Sequence, residues 1–192
     1  NVTVAKTKSL DLSCLINLPN VKSDRSWLQH GDAHTNDAVL DDEILADEAI
    51  QAAIAHQGKI AKDLVILNTD RSVGGRISGA IASQYGNSGF AGEITLIFKG
   101  SAGQSFGAFN LPGMNMIIAG EANDYVGKGM HGGEIIIAPS NKSTYDAGTN
   151  VIIGNTCLYG ATGGALYANG RAGERFAVRN SMGKAVIEGA GD

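Results

Sequence analysis

Cysteine is nearly absent from this 192-residue sequence, and so are long apolar runs. Cys14 and Cys157 are the only cysteines, too few for a disulfide framework, and they fit a reducing compartment. No run of about 20 apolar residues and no signal-peptide pattern occurs in the sequence, so it predicts neither a membrane-spanning helix nor export.

The sequence also lacks an excess of positive charge. The formal net charge is -4. Residues 1–60 hold nine acidic and five basic side chains, whereas residues 61–192 hold ten of each. Nucleic acids and anionic membranes attract basic surfaces, so neither is an expected partner.

Catalytic and metal-binding motifs are missing as well. Ser101, Ser105 and Thr156 have no His or Asp partner at a readable spacing, so no catalytic residue is predicted. His30 and His34 flank Asp32, but the neighbouring glycine and the polar surroundings argue against a helix. With no third ligand in view, these histidines are predicted to be surface residues and no metal site is expected.

One stretch matches a nucleotide-binding pattern. Gly127-Lys-Gly-Met-His-Gly132 fits G-x-G-x-x-G, but that fingerprint needs a following helix, and here the strand-like run Glu134-Ile-Ile-Ile follows. A turn is therefore the preferred interpretation, and the chain itself is expected to bind no cofactor.

Glycine is abundant, and its distribution is uneven. Only Gly31 and Gly58 lie in residues 1–60, and the other 25 glycines follow. Several of them recur at the first, fourth and eighth positions of octets, each after a short apolar run. The structural repeat positions are Gly100, Gly103, Gly107, Gly120, Asn123, Gly127, Gly154, Cys157, Ala161, Gly170, Gly173, Ala177 and Gly189.

The repeat length predicts the fold class. Seven steps of about 17 residues connect a degenerate octet at 68–75 to residue 189, with one further turn expected around 84–92. Such a step is too short for helical repeats but suits short strands joined at glycine corners. The sequence therefore predicts an all-β parallel β-helix of about seven rungs. Its strands are expected at 64–67, 94–98, 116–119, 134–138, 151–153, 166–168 and 185–188.

The N-terminal part is interpreted differently. Residues 1–46 read as an irregular arm, whose apolar side chains include Leu18 and Trp27. A short helix is predicted at about 47–57, with Asp47 as N-cap and Gly58 at the C-cap position. The expected domains are 1–60, holding arm and helix, and 61–192, the β-helix. Because the chain lacks an initiator Met and stops within a repeat, it is expected to be an excised, truncated piece of a longer polypeptide.

Two polar clusters remain open to a functional interpretation. The first either provides an acid, a base or an anion contact, or satisfies turn amides, which is the preferred interpretation; it comprises Glu121, Asp124, Lys128 and His131. The second either binds an anion or forms ion pairs with a neighbouring domain, again the preferred interpretation; it comprises Arg171, Glu174, Arg175 and Arg179.

These octets carry a family resemblance. Gly100-Ser-Ala-Gly-Gln-Ser-Phe-Gly, Gly120-Glu-Ala-Asn-Asp-Tyr-Val-Gly, Gly154-Asn-Thr-Cys-Leu-Tyr-Gly and Ala172-Gly-Glu-Arg-Phe-Ala resemble the C-terminal domain of glutamate synthase. The run from Arg71 to Gly86 is most similar to the ferredoxin-dependent type of cyanobacteria and plastids, with the NADPH-dependent bacterial type as the alternative. One component of formylmethanofuran dehydrogenase is a more distant resemblance.

The resemblance implies a right-handed β-helix that serves as a scaffold. Glutamate synthases have a glutaminase domain, a central domain, and an FMN-binding barrel with a 3Fe–4S cluster, and none of the corresponding motifs maps onto this chain. The implied parent reaction converts glutamine, 2-oxoglutarate and reduced ferredoxin into two glutamates. The implied partners are those other domains and, for the parent, ferredoxin, in the cytoplasm or plastid stroma.

Two rival functions stay open. A polysaccharide-lyase-like enzyme would need charged side chains recurring at one rung position, but the second octet positions read Ser101, Glu121, Asn155 and Arg171. A free-standing binding or assembly module would use the polar arm as its contact surface. Whether the fragment is itself an enzyme is uncertain, and a non-catalytic role is expected.

Overall fold

The computed structural model describes residues 10–16 and 37–191. Two compact units divide the chain, 1–36 and 37–192. In the first unit, the described residues include helix α1 (Ser13–Ile16). The described helices of the second unit are α2 (Leu40–Ala46), α3 (Glu48–Ala55) and α4 (Gly75–Tyr85), with a 3₁₀ turn at Ala147–Thr149.

Eight strands of the second unit form one sheet. They are β1 (Lys59–Ile66), β2 (Glu93–Ala102), β3 (Met114–Ala122), β4 (Glu134–Ala138), β5 (Val151–Ile153), β6 (Ala165–Ala168), β7 (Arg171–Ala172) and β8 (Lys184–Val186). The main path runs β1-β2-β3-β4-β6-β8, and β5 pairs with β3 and β7. Every pairing is parallel, so the chain returns to the same end of the sheet before each strand begins.

Apolar residues alternate along the central strands and place the core on one face of the sheet. Leu96, Met116 and Ile135 are register neighbours, and each is fully buried. The Phe98 ring meets Phe106 edge-on, with ring centroids 5.3 Å apart. Every second residue of these strands therefore points into one continuous hydrophobic core.

The helices extend this core at the β1 end of the sheet. Ile77 and Ile81 of α4 lie one helical turn apart, and both are fully buried. Ile50 and Ile54 of α3 have the same spacing and join the same cluster. Asp47 caps α3 by accepting the N–H groups of Ala49 and Ile50 at 2.9 and 3.2 Å, as the sequence predicts.

The predicted all-β fold is wrong. The described chain combines a parallel eight-stranded sheet with several helices, so it is an α/β protein and not a closed parallel β-helix of about seven rungs. Helix α4 (Gly75–Tyr85) fills the stretch between the first two predicted corners, 68–75 and 84–92. The glycines there bracket a helix: Gly74 is its N-cap and Gly86 its C-cap. Spacing of glycines alone did not distinguish a helix end from a strand corner.

The arm prediction also needs correction within the described residues, because α2 lies inside the stretch 1–46 that was expected to be irregular. Leu18 and Trp27 fall outside the described residues. The strand predictions at 134–138 and 151–153 match β4 and β5, and the others overlap β1, β2, β3, β6 and β8. Short apolar runs were therefore better guides than the repeat length.

Candidate functional site

Four corner segments, 103–109, 123–129, 154–160 and 173–179, hold most of the polar residues that the sequence singled out, and Glu121, His131 and Arg171 lie within two residues of them. Each has three residues with positive φ at alternate positions. They are Ser105, Gly107 and Phe109; Tyr125, Gly127 and Gly129; Thr156, Leu158 and Gly160; Arg175, Ala177 and Arg179. Most are not glycine, although this conformation costs a non-glycine residue about 1–2 kcal/mol. The surrounding contacts must offset that cost.

Backbone hydrogen bonds between successive corner segments provide the offset. The Ser105 N–H donates to the Asp124 carbonyl at 2.8 Å, and the Tyr125 N–H donates to the Asn155 carbonyl at 2.8 Å. The central left-handed residue donates in the opposite direction, as when the Gly127 N–H meets the Phe106 carbonyl at 2.9 Å. Alternating donation links each segment to both neighbours, so buried amides are satisfied without a regular strand.

These bonds also show the register of the third octet. Thr156 donates to Glu174, as Tyr125 donates to Asn155, and Leu158 occupies the position that Gly127 has in the second segment. Gly154 therefore corresponds to Gly103, which is the fourth position of its octet. The sequence pattern had assigned Gly154 to the first position, three residues away. Leu158 has a positive φ at this position, so the spacing of the glycines does not locate this corner.

Asparagine and aspartate side chains connect the same segments. The Asp124 carboxylate accepts the Asn155 N–H at 2.7 Å, and the Asn155 side-chain oxygen accepts the Glu174 N–H at 2.8 Å. The Asn123 amide donates to the Asn68 side-chain oxygen at 3.1 Å. Of the first polar cluster, Asp124 thus accepts a turn amide of the next segment.

The remaining members of the first polar cluster have separate partners. The Ser101 hydroxyl donates to the Glu121 carboxylate at 2.9 Å. The His131 ring nitrogens lie 2.9 Å from the Thr162 hydroxyl and 3.3 Å from the Ser88 hydroxyl. The Lys128 ammonium lies 5.6 Å from the centroid of the Tyr125 ring. The members of the first polar cluster are therefore engaged with different neighbours and not with one another.

The second polar cluster lies in β7 and in the last of the four corner segments. Arg171, Glu174, Arg175 and Arg179 are exposed. Within residues 10–16 and 37–191 the ion pairs are Lys59–Glu93, Lys62–Asp47 and Arg76–Asp42, and none includes a member of this cluster. Its predicted role in ion pairs with a neighbouring domain stays a prediction.

The cysteines do not fit an iron–sulfur cluster. Cys157 is buried, and its Sγ donates to the Gly154 carbonyl at 3.3 Å. Burial raises the pKa of this thiol to about 12, so the thiolate that a cluster needs is disfavoured. Cys14 is exposed. In the described part of the chain, no group of three His, Cys, Asp or Glu residues is placed to hold a metal ion.

The other motifs have structural explanations or lie outside the described part of the chain. Gly127–Gly132 forms turns that lead into β4 and not into a helix, so it lacks the helix N-terminus that a nucleotide phosphate would use. His30 and His34 lie outside the described residues. None of the helices that the structure describes is both long and apolar enough to cross a membrane.

Sequence reasoning missed Asp41. This residue is 3% exposed, and its carboxylate accepts the N–H groups of Gly74 and Arg76, both at 2.8 Å. Burial raises its pKa, although the backbone hydrogen bonds act in the opposite direction. Asp41 therefore caps α4 from 33 residues away. An N-cap pattern is local in sequence, so no local signal identified it.

A cavity next to this cap was also not foreseen. It encloses about 420 Å³, and basic side chains line it together with Asp41: Arg71, Arg76 and Lys128. Arg76 is paired with Asp42. Because the α4 N-terminus is already capped by Asp41, the cavity lacks free helix amides for an anion.

The whole chain is similar to a part of several known proteins. The family model described as GXGXG motif matches residues 41–192. Over 192 residues the chain is 65% identical to ferredoxin-dependent glutamate synthase 2 of Synechocystis sp. and 53% identical to ferredoxin-dependent glutamate synthase of Pyropia yezoensis. Over 193 residues it is 51% identical to ferredoxin-dependent glutamate synthase 1, chloroplastic/mitochondrial, of Arabidopsis thaliana. All of the chain is covered, but it spans only 12% of each relative's length.

Proposed function

We propose that this chain, which belongs to the GXGXG motif family, is a non-catalytic structural segment of a ferredoxin-dependent glutamate synthase. In this proposal the segment holds the glutaminase and FMN-binding domains of the longer enzyme in register. Ammonia released from glutamine can then reach 2-oxoglutarate without escaping. Ferredoxin is the proposed electron donor of the longer enzyme, and the cytoplasm or plastid stroma is its proposed location.

The observation that supports this proposal is the use of polar side chains at the corner segments. Asp124 and Asn155 accept backbone N–H groups of the next turn, and Glu121 accepts the Ser101 hydroxyl. A catalytic carboxylate must instead face its substrate with a matched pKa. Here the carboxylates of Asp124 and Glu121 accept hydrogen bonds within the chain and so stabilise the fold. This favours a structural role over a catalytic one.

The flavin and the iron–sulfur cluster belong, in this proposal, to other parts of the enzyme. A protonated, buried Cys157 is a poor cluster ligand. The glycine-rich turn at 127–132 precedes a strand, so it offers no helix N-terminus to a flavin phosphate. This chain would support the two reaction centres mechanically without contributing a ligand to either.

A test uses the full-length enzyme that contains this segment. Replacing Gly120 by valine places a side chain against the Gly100 carbonyl and should unfold the segment locally. We expect glutamine hydrolysis to continue while the glutamate formed per glutamine hydrolysed falls severalfold. Gly79→Ala, at an open position of α4, is the matched control and should leave the ratio unchanged.

Limited proteolysis would confirm that the segment is disrupted in the Gly120→Val enzyme. If the segment is cleaved readily but each glutamine hydrolysed still yields the normal amount of glutamate, the scaffold proposal is wrong. A loss of both activities in proportion would also count against it, because that result indicates a general role in folding or in catalysis.

A further inference from the structure

An apolar row crosses the sheet on the face opposite the core. Register pairing places five side chains side by side on β2, β3, β4, β6 and β8. We call them the outer row: Ile97, Ile117, Ile136, Tyr167 and Val186. Neighbouring strands lie about 4.8 Å apart, so the row is about 19 Å long.

The outer row does not belong to the core cluster. Its strand neighbours Phe98, Ile118 and Ile137 point to the opposite face and are buried. Tyr167 is 41% exposed and Val186 is 60% exposed, and the three isoleucines are half-buried. Parallel sheets are normally covered on both faces, and their strands are then apolar on both sides. The sequence of this sheet fits that arrangement, yet Tyr167 and Val186 on the outer face stay exposed in the described part of the chain.

Polar side chains border the outer row on one side. Thr95, Asn115 and Glu134 form the adjacent register row, and the Asn115 amide donates to the Thr95 hydroxyl at 3.3 Å. The five side chains of the outer row carry no charge, and the row is bounded on β1 by Asp63, the register neighbour of Ile97. A bounded apolar strip with a polar margin is typical of a protein contact surface.

We propose that the outer row docks, within the same polypeptide, against an apolar and charge-poor surface of the remainder of the long enzyme. This inference rests on the proposed function, because it names the surface through which the segment would hold its neighbours. The chain spans 12% of its relatives' length, so most of each polypeptide lies elsewhere. Covalent connection gives such a surface an effective concentration in the millimolar range.

A second copy of the chain is a weaker candidate occupant. A stable complex between free proteins buries about 800 Å² on each partner. Five side chains, three of them already half-buried, do not reach that area. A contact of this size is sufficient only when the partner is already held nearby, which favours a surface of the same polypeptide.

Hydroxyl-radical labelling of the full-length enzyme tests the proposal. Tyr167 and Tyr125 are almost equally exposed in this structure, at 41% and 37%, and Tyr125 lies in the corner segment 123–129, outside the outer row. We expect Tyr167 to be labelled about fivefold more slowly than its exposure here implies, because a docked surface excludes water. Rates in the denatured enzyme provide the normalisation. Labelling of Tyr167 in proportion to 41% exposure would overturn the proposal.

A substitution sharpens the test. In the full-length enzyme, Ile136→Lys adds a charge to the outer row, whereas Asn115→Lys adds the same charge one register row away on β3. We expect labelling of Tyr167 to rise severalfold in the Ile136→Lys enzyme and to stay unchanged in the Asn115→Lys enzyme. Equal labelling in both variants and in the parent would contradict docking at this row. Circular dichroism checks that both variants are folded.

Two further readouts separate the explanations. Protection of Tyr167 that disappears on hundredfold dilution, with a halved molecular mass, would assign the row to a second copy and overturn the proposal. If Tyr167 is protected but Ile136→Lys leaves the ratio of glutamate formed to glutamine hydrolysed unchanged, the docking surface stands and the scaffold function fails. If Tyr167 is exposed while Gly120→Val still lowers that ratio, the scaffold stands and this surface is wrong.

Discussion

Residues 40–92 and residues 93–191 share one parallel sheet but are stabilised in different ways. In the first region, helices pack apolar side chains onto the core, and carboxylates cap their N-termini. In the second region, backbone N–H groups at left-handed residues connect successive corner segments. The first region therefore depends on particular side chains, whereas the second depends on backbone conformation and on close approach between turns.

The two regions differ in whether a glycine can be replaced by a larger residue. A Cβ on Gly120 would overlap the carbonyl oxygen of Gly100, its register partner on β2. A Cβ on Gly79, within α4, meets no atom within 4 Å. The same residue type is thus required in one region and dispensable in the other.

The largest expected effect follows from this pair. Gly120→Ala should destabilise the chain by at least about 3 kcal/mol, because the new methyl group forces two strands apart. Gly79→Ala should stabilise it by about 1 kcal/mol, because alanine favours a helix. Urea unfolding followed by circular dichroism measures both. Similar changes of the same sign would show that the two regions do not differ as described.

The second prediction concerns the α4 cap. Asp41→Ala should cost about 1–2 kcal/mol, since two backbone N–H groups at the helix start lose their acceptor. The control is Asp42→Ala, which removes the exposed ion pair with Arg76 and a long hydrogen bond of 3.4 Å from the Val39 N–H, and should cost less than about 1 kcal/mol. Thermal unfolding of both variants is the measurement. An equal loss would mean that Asp41 contributes nothing beyond surface charge.

The third prediction applies to a left-handed corner residue. Arg175 is exposed at φ +56°, so Arg175→Gly should gain up to about 1 kcal/mol through relief of backbone strain. Arg171→Gly, in the short strand β7, relieves no such strain and should lose about 0.5–1 kcal/mol. Urea midpoints of the two variants are compared. Destabilisation by Arg175→Gly would indicate that its side chain matters more than its backbone.

The smallest expected effect is a pH dependence at the α3 cap. The Lys62 ammonium donates to the Asp47 carboxylate at 2.6 Å and holds the pKa of Asp47 below its ordinary value. The unfolded state then binds this proton more readily, so the stabilisation is present above about pH 4 and is lost as the pH falls through the lowered pKa. Unfolding of Asp47→Asn and of the parent between about pH 2 and pH 6 should converge at the acid end. A constant difference would exclude this linkage.

Some of this structure could be predicted from local patterns. Apolar runs identified every long strand of the sheet at least in part, and Asp47 with Gly58 marked a helix whose ends lie close to those of α3. Such signals are contained within a few residues. The family was also recognisable, because the octet sequences themselves resemble it.

What could not be predicted depends on contacts that are distant in sequence. Glycine marks both a strand corner and a helix end, so Gly74 and Gly86 concealed α4. Leu158 is left-handed without being glycine, because bonds to a neighbouring turn fix its backbone. The partners of Asp124 and His131 likewise come from other turns. Pattern reasoning therefore identified polar residues near one another without showing that each has a separate structural partner.

The central claim, that this chain is non-catalytic, is tested most directly with the purified 192-residue chain. Visible absorbance is recorded after addition of FMN and removal of free flavin, and glutamine hydrolysis and glutamate formation are then assayed. We expect no stoichiometric flavin and no turnover of either kind. Stoichiometric flavin binding, or specific turnover that Glu121→Gln or His131→Asn abolishes, would contradict it.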